Sequence, residues 1–164
     1  MLKRACKPAT QLSFGVRFQE ESNSKMKNII IAGAIICSIV TFYECANANE
    51  MELVQSGTVL FTKHCAHCHG DDAIGQDPTQ PSGGWDDNMS RLAPALNGTG
   101  HAWHHPPELI YEYIEKGSID KTSPMPSFGS ILKDNDIKSI IAYINSLWPD
   151  EILDSYRKRF AEEE

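Results

Sequence analysis

Two thiols and an imidazole fall within five residues in Cys65-Ala66-His67-Cys68-His69. Cysteines at this spacing can bond one planar partner at two points or share one metal ion. The histidine directly after them can set a ring nitrogen against whatever the thiols hold. As a C-x-x-C-H run, this is the sequence signal for a covalently attached c-type haem. The thiols add across the two vinyl groups of the porphyrin, and His69 becomes the proximal iron ligand. The chemistry is then one-electron transfer, supplied by the cofactor. Three other readings compete: half of a zinc site, which needs four ligands; a thioredoxin-like redox pair, expected beside a βαβ pattern; and chance occurrence of a short motif.

A haem held by one histidine has a second face to fill. Met125 lies in Pro124-Met125-Pro126, where the flanking prolines cannot continue a helix and hold the backbone in a rigid loop. Such a loop can present a thioether to iron, although most buried methionines only fill a core. Met89 is the alternative. A second cluster, Gly100-His101-Ala102-Trp103-His104-His105, offers three imidazoles. His101, His104 and His105 could bind copper or zinc. They could equally hydrogen bond a haem propionate or cap a helix, and Trp103 could simply pack near the haem. His64 and His67 flank the cysteines and are given no ligand role.

These groups need elements to position them. Residues 49–64 read as a helix, with Leu53, Gly57, Leu60, Phe61 and His64 on one face, running straight into the motif. Residues 70–91 are rich in Asp, Gly, Pro and Ser without periodicity, and read as loop. The acidic pairs there do not match a calcium loop and are expected to be solvated. A second helix is predicted over 107–116, with Pro107 at its first position and Gly117 closing it in a left-handed conformation. Asp134 or Asn135 is expected to cap a third helix. Its stripe is Ile137, Ile140, Ile141, Ile144, Leu147 and Trp148, and Pro149 ends it.

The N-terminus reads as an export signal. Ile29 to Tyr43 carries no charge, Lys25 and Lys27 precede it, and Ala46-Asn47-Ala48 supplies an A-x-A cleavage site. The apolar run is short for a membrane span, which needs about 20 residues. An uncleaved anchor is the alternative, and Met26 is a natural start for the signal. The expected organisation is a presequence over 1–48 (signal 26–48), a domain over 49–149 and a charged tail over 150–164. Cleavage leaves Cys65 and Cys68 as the only two of five cysteines. It also removes six of 15 basic and three of 22 acidic side chains, leaving nine against 19 and a net charge of −10. That balance argues against nucleic acid or an anionic membrane surface as partner.

With helix, C-x-x-C-H, loop, middle helix, methionine loop and final helix in this order, residues 50–149 resemble class I cytochrome c. The closest likeness is to small exported bacterial types with Pro-Met-Pro-x-Phe and a terminal Leu-Trp-Pro. The resemblance implies an all-α fold of three main helices wrapped around one covalent haem. It implies that Gly57 and Phe61 meet Ile140 and Tyr143 where the first and last helices cross. It also likens Leu92-Ala93-Pro94-Ala95-Leu96-Asn97-Gly98 to the family's proline loop, in which the Pro94 carbonyl accepts a hydrogen bond from the proximal imidazole and Leu96 lines the haem crevice. The residues counted as binding the cofactor are then Cys65, Cys68, His69, Met125, Pro94, Leu96 and Tyr143, with iron on His69 and Met125. The implied function is a periplasmic one-electron carrier and not an enzyme. Its partners would be redox proteins such as a quinol-oxidising complex, a terminal oxidase or a peroxidase. The alternative is a haem c subunit, or a metal-responsive haem protein using His101–His105.

Overall fold

The computed structural model describes residues 47–118, 120 and 123–160. The expected export signal, over 26–48, lies almost wholly outside them. Five helices follow in order: α1 over 47–64, α2 over Ala66–His69, α3 over Pro107–Lys116, α4 over Asp134–Ser146 and α5 over Asp150–Phe160. Short 3-10 turns occupy Asp71–Ala73 and Ala102–His104. Among the described residues there is no strand, only an isolated bridge between Trp85 and Arg91. The fold is all-α.

Helix α4 is the centre of the core. Its Ile137, Ile140 and Ile144 are buried at the spacing of one helical face, and α3 packs on it with Ile110 and Ile114. Fully burying an aliphatic side chain of this size is worth roughly 1.5–3 kcal/mol, so this stripe accounts for much of the drive to fold. Helix α1 crosses α4 at Gly57. A Cβ there would overlap Ser139 O and lie 2.8 Å from Tyr143 Cβ, so only glycine allows the backbones this close. One turn on, Phe61 packs its ring 5.1 Å from that of Tyr143. The cap of α4 differs from expectation. Lys133 occupies the capping position, and Asp136, at the third helical position, accepts the Lys133 N–H at 2.9 Å.

Residues 150–164, expected as a charged tail, contain the ordered helix α5. Its charges hide an apolar stripe of Ile152, Leu153, Tyr156 and Phe160 that packs on the core. Tyr156 is buried, 4.8 Å from the ring of Trp148 and 4.9 Å from that of Phe160. Helix α5 also packs against the Ala102–His104 turn. Among the described residues no helix is long and apolar enough to cross a membrane.

The Tyr156 hydroxyl is buried without a hydrogen-bond partner among the described residues. Burial, reinforced by Glu108, pushes its pKa from 10.0 to about 12. The raised value means that the unfolded chain ionises first. The stability tied to the neutral phenol is therefore complete below pH 10.0 and disappears as pH rises towards about 12. Tyr156→Phe is expected to raise stability by about 1 kcal/mol at neutral pH, because it removes an unsatisfied buried hydroxyl. It should also flatten the alkaline loss. Guanidinium unfolding midpoints compared at neutral and alkaline pH would measure both effects.

Candidate haem site

The motif is shaped by the end of α1 and the single turn of α2. Cys65 N–H donates to Phe61 O at 2.8 Å, and His69 N–H donates to Cys65 O at 2.9 Å, so the run stays helical through the imidazole. The chain then reverses sharply. Gly70 has φ 77°, and Asp72 and Ala73 hold positive φ of 54° and 57°, a conformation disfavoured for side-chain-bearing residues. Gly75 N–H returns to His69 O at 2.7 Å, Gln76 N–H donates to Ala93 O at 3.0 Å, and Leu96 N–H donates to Ala73 O at 2.8 Å. These bonds zip the post-motif loop to the 93–96 segment.

That zipper sets Pro94 against His69. The His69 Nδ1–Pro94 O distance is 2.8 Å, and since a carbonyl only accepts, Nδ1 carries the proton. Nε2 is left with its lone pair, which is the form a metal-binding imidazole needs. His69 is buried, and burial holds its pKa below the ordinary imidazole range; the Pro94 bond opposes this and His67 adds to it. The ring is therefore neutral at physiological pH. Cys65 and Cys68 form no disulfide with each other and are both partly buried. Burial, with a contribution from Cys68, pushes Cys65 up to about 11.

Cys65, Cys68 and His69 line one end of a cleft with about 720 Å³ of open space, together with Phe61, Phe128 and Met125. Its lining area is mainly apolar, and α4 contributes Ile140 and Ile144. The cleft continues into a second chamber of about 1050 Å³, reached past a shared wall that includes His69, Pro94, Leu96 and Met125. Thus the neutral imidazole, the thioether and the two thiols border one apolar slot, a donor set that fits haem c.

Met125 reaches the slot because its loop is stitched to the end of α3. Ser118 N–H donates to Met125 O at 3.2 Å, Ser127 Oγ donates to Glu115 O at 2.6 Å, and Phe128 N–H donates to Ile114 O at 3.1 Å. Gly117 has φ 81° with an extended ψ of −175°, so it closes α3 without the expected left-handed helical turn. A Cβ on Gly117 would lie 2.8 Å from Pro126 C and 2.9 Å from Met125 O. This close seat for the methionine loop was missed in the sequence, where Gly117 reads only as a helix stop.

Other expected residues fall elsewhere. Tyr143, counted as cofactor-binding, packs into the α1–α4 crossing against Phe61 and Gly57 and is not among the residues lining either chamber. Met89 is 72% exposed at a loop tip and lines neither chamber. His64 and His67 border the cysteine end. The three clustered imidazoles do not converge. His104 stacks on Trp103 with ring centroids 3.7 Å apart, while His101 and His105 pair edge-on at 5.4 Å. Among the described residues no three His, Cys, Asp or Glu side chains are grouped to hold a metal ion. In the 70–91 loop, Asp77 and Asp86 also organise turns through exposed hydrogen bonds. Asp77 accepts from Thr79 N–H at 2.9 Å, and Asp86 accepts from Asn88 and Ser90 N–H at 2.9 and 2.8 Å.

An all-helical domain carrying this motif over an apolar slot defines a c-type cytochrome, and comparison with known proteins places it further. The chain belongs to the family described as cytochrome c oxidase, cbb3-type, subunit III, whose model matches residues 52–144. It is similar to the cbb3-type cytochrome c oxidase subunit FixP of Sinorhizobium medicae (strain WSM419), at 30% identity over 100 residues. That match covers 57% of this chain and 30% of the relative, so the chain spans about a third of the relative's length. No solved structure matches it. A cytochrome c domain of this family carries covalently bound haem c with its iron, and the chain is a haem c electron-transfer protein.

Proposed function

We propose that the chain is an exported class I carrier of single electrons. In this reading Cys65 and Cys68 tether one haem, and His69 and Met125 ligate its iron. The observation that carries the reading is the His69–Pro94 hydrogen bond, which leaves Nε2 unprotonated beside a slot that Met125 also lines. Bound haem supplies the Fe(III)/Fe(II) couple. The protein's part is to hold and tune it. Pro94 fixes the tautomer and orientation of His69 and raises its basicity as a ligand. The Met125 thioether is a soft donor that favours Fe(II), and the apolar walls from α1 and α4 favour the less charged state further. With His69 and Met125 holding the haem iron, the group would supply electron exchange during brief encounters with redox proteins.

The expected export signal puts this exchange in the periplasm. The family match and the similarity to FixP favour a second reading, in which the domain works as a haem c subunit docked to an oxidase assembly. An absorption spectrum of the reduced mature protein tests the ligand set. A c-type α band and a low-spin ferric spectrum are expected; a high-spin ferric spectrum would remove the His69–Met125 pair. Periplasmic extraction and pull-down separate the two roles. A carrier is released free, and a subunit co-purifies with membrane proteins.

A further inference from the structure

The two ends of the cleft differ in chemistry. The cysteine end is mainly apolar, faced by Phe61 and Phe128 with His64 and His67 beside them. The far chamber adds His101, His105, Tyr113 and Asp120, and Arg91 lines both chambers. In any haem the two vinyl groups and the two propionates leave opposite edges of the macrocycle. A porphyrin bonded through its vinyls to Cys65 and Cys68 therefore carries its carboxylates past the shared wall and into the far chamber. Two carboxylates moved out of bulk water need nitrogen donors to meet them. We propose that Arg91, His101 and His105 form the site that binds the haem propionates, an assignment that rests on thioether attachment at Cys65 and Cys68.

The local structure builds this site. The turn carrying both histidines is braced by His104 N–H to His101 O at 3.0 Å, His105 N–H to Ala102 O at 3.1 Å and Trp103 Nε1–H to Gly100 O at 3.0 Å. A Cβ on Gly100 would overlap Ala95 O, so the turn lies directly on the proline loop. Helix α5 packs on the same turn. His104 is drawn away onto Trp103, while His101 and His105 line the chamber. Arg91 stacks 4.9 Å from the Trp85 ring and meets Asp120 through Nε at 3.5 Å. The groups acting on His101 besides its burial are His105, His104 and Arg91, all of which disfavour its protonation. Tyr113 and the Arg91-paired Asp120 share the chamber wall. Mutual repulsion among these nitrogens is what bound carboxylates would relieve.

The assignment couples a proton to the electron. Ferrous haem carries one positive charge fewer than ferric haem, so His101 beside a propionate holds its proton more tightly in the reduced protein. The reduction potential should then fall as pH rises through the imidazole range, about pH 5–8. Spectroelectrochemical titration across that range would be run on the haem-loaded protein and on His101→Gln, Arg91→Gln and His104→Gln. The wild-type potential should fall with pH, and His101→Gln should lose that fall while keeping its haem content and low-spin spectrum. Arg91→Gln should lower the potential at every pH, and His104→Gln should keep the fall with pH, displaced only slightly because one neighbour that opposes His101 protonation is gone. A wild-type potential independent of pH, or a His101→Gln profile that tracks wild type, would overturn the assignment while leaving the haem reading intact. Absence of covalent haem from the wild type would defeat both. Should the variants fail to accumulate, NMR titration of wild-type His101 decides: a higher imidazole pKa in the ferrous than in the ferric state is expected, and equal values overturn the proposal.

Discussion

Gly57→Ala should destabilise the protein by about 3 kcal/mol or more, a large cost for one methyl group. The added Cβ would lie 2.6 Å from Ser139 C and overlap Ser139 O, both backbone atoms of α4. Neither can rotate aside, so α1 and α4 must separate and expose Phe61, Ile140 and Tyr143, which are buried in the native crossing. Gly84→Ala is the control. Its Cβ meets only the side-chain amide of Gln80, which can swing away, so the cost should stay below about 1 kcal/mol. Guanidinium unfolding of the haem-loaded proteins measures both. Equal midpoints for the two variants would show that the crossing yields more readily than its geometry indicates.

Met125→Ala is expected to act on the haem rather than on the fold. If the thioether ligates iron, its removal leaves one axial position open. The ferric protein should turn high-spin, the reduction potential should fall, and the reduced protein should bind carbon monoxide at neutral pH. Gain of a tenfold in affinity corresponds to about 1.4 kcal/mol, and loss of a competing ligand should be worth at least two such steps. Gly117→Ala tests the same loop from its seat: a Cβ there presses on Met125 O and Pro126 C and should weaken the sulfur ligand with Met125 still in the chain. Met89→Ala should change none of these readouts, since Met89 is exposed and lines neither chamber.

What the sequence made legible was mostly short-range. Cys65, Cys68 and His69 lie within little more than one helical turn, so their spacing nearly determines their arrangement. Helices α3 and α4 have uninterrupted apolar stripes and one proline signal each. The stripe of α5 is as regular, but Ile152, Leu153, Tyr156 and Phe160 are interleaved with Asp150, Glu151, Asp154 and Arg157-Lys158-Arg159, and charge masked the period. The bond from His69 to Pro94 joins groups 25 residues apart, and only the family resemblance pointed to it. Tyr143 meets Phe61 at the α1–α4 crossing as the resemblance implies, a contact that spacing alone does not give. Gly117 was read as punctuation because a sequence records the turn at a glycine but not the strand of chain that later lies against it. The histidine cluster divides for a similar reason, since the stacking of His104 on Trp103 is a tertiary choice that spacing does not encode.

The stitching of residues 125–129 to the end of α3 bears on speed. Met125 O, Ser127 Oγ, Phe128 N and Gly129 N all bond to residues 114–118, so the loop cannot drift without breaking the helix end. An electron arriving at a metal must wait for its surroundings to adopt the geometry of the new charge state, and the barrier grows with how far they have to travel. If Met125 ligates the iron, its thioether is carried on a backbone with little room to travel. Its contribution to the reorganisation energy would then be small, and self-exchange between reduced and oxidised molecules should be fast for that reason, independently of where the potential lies.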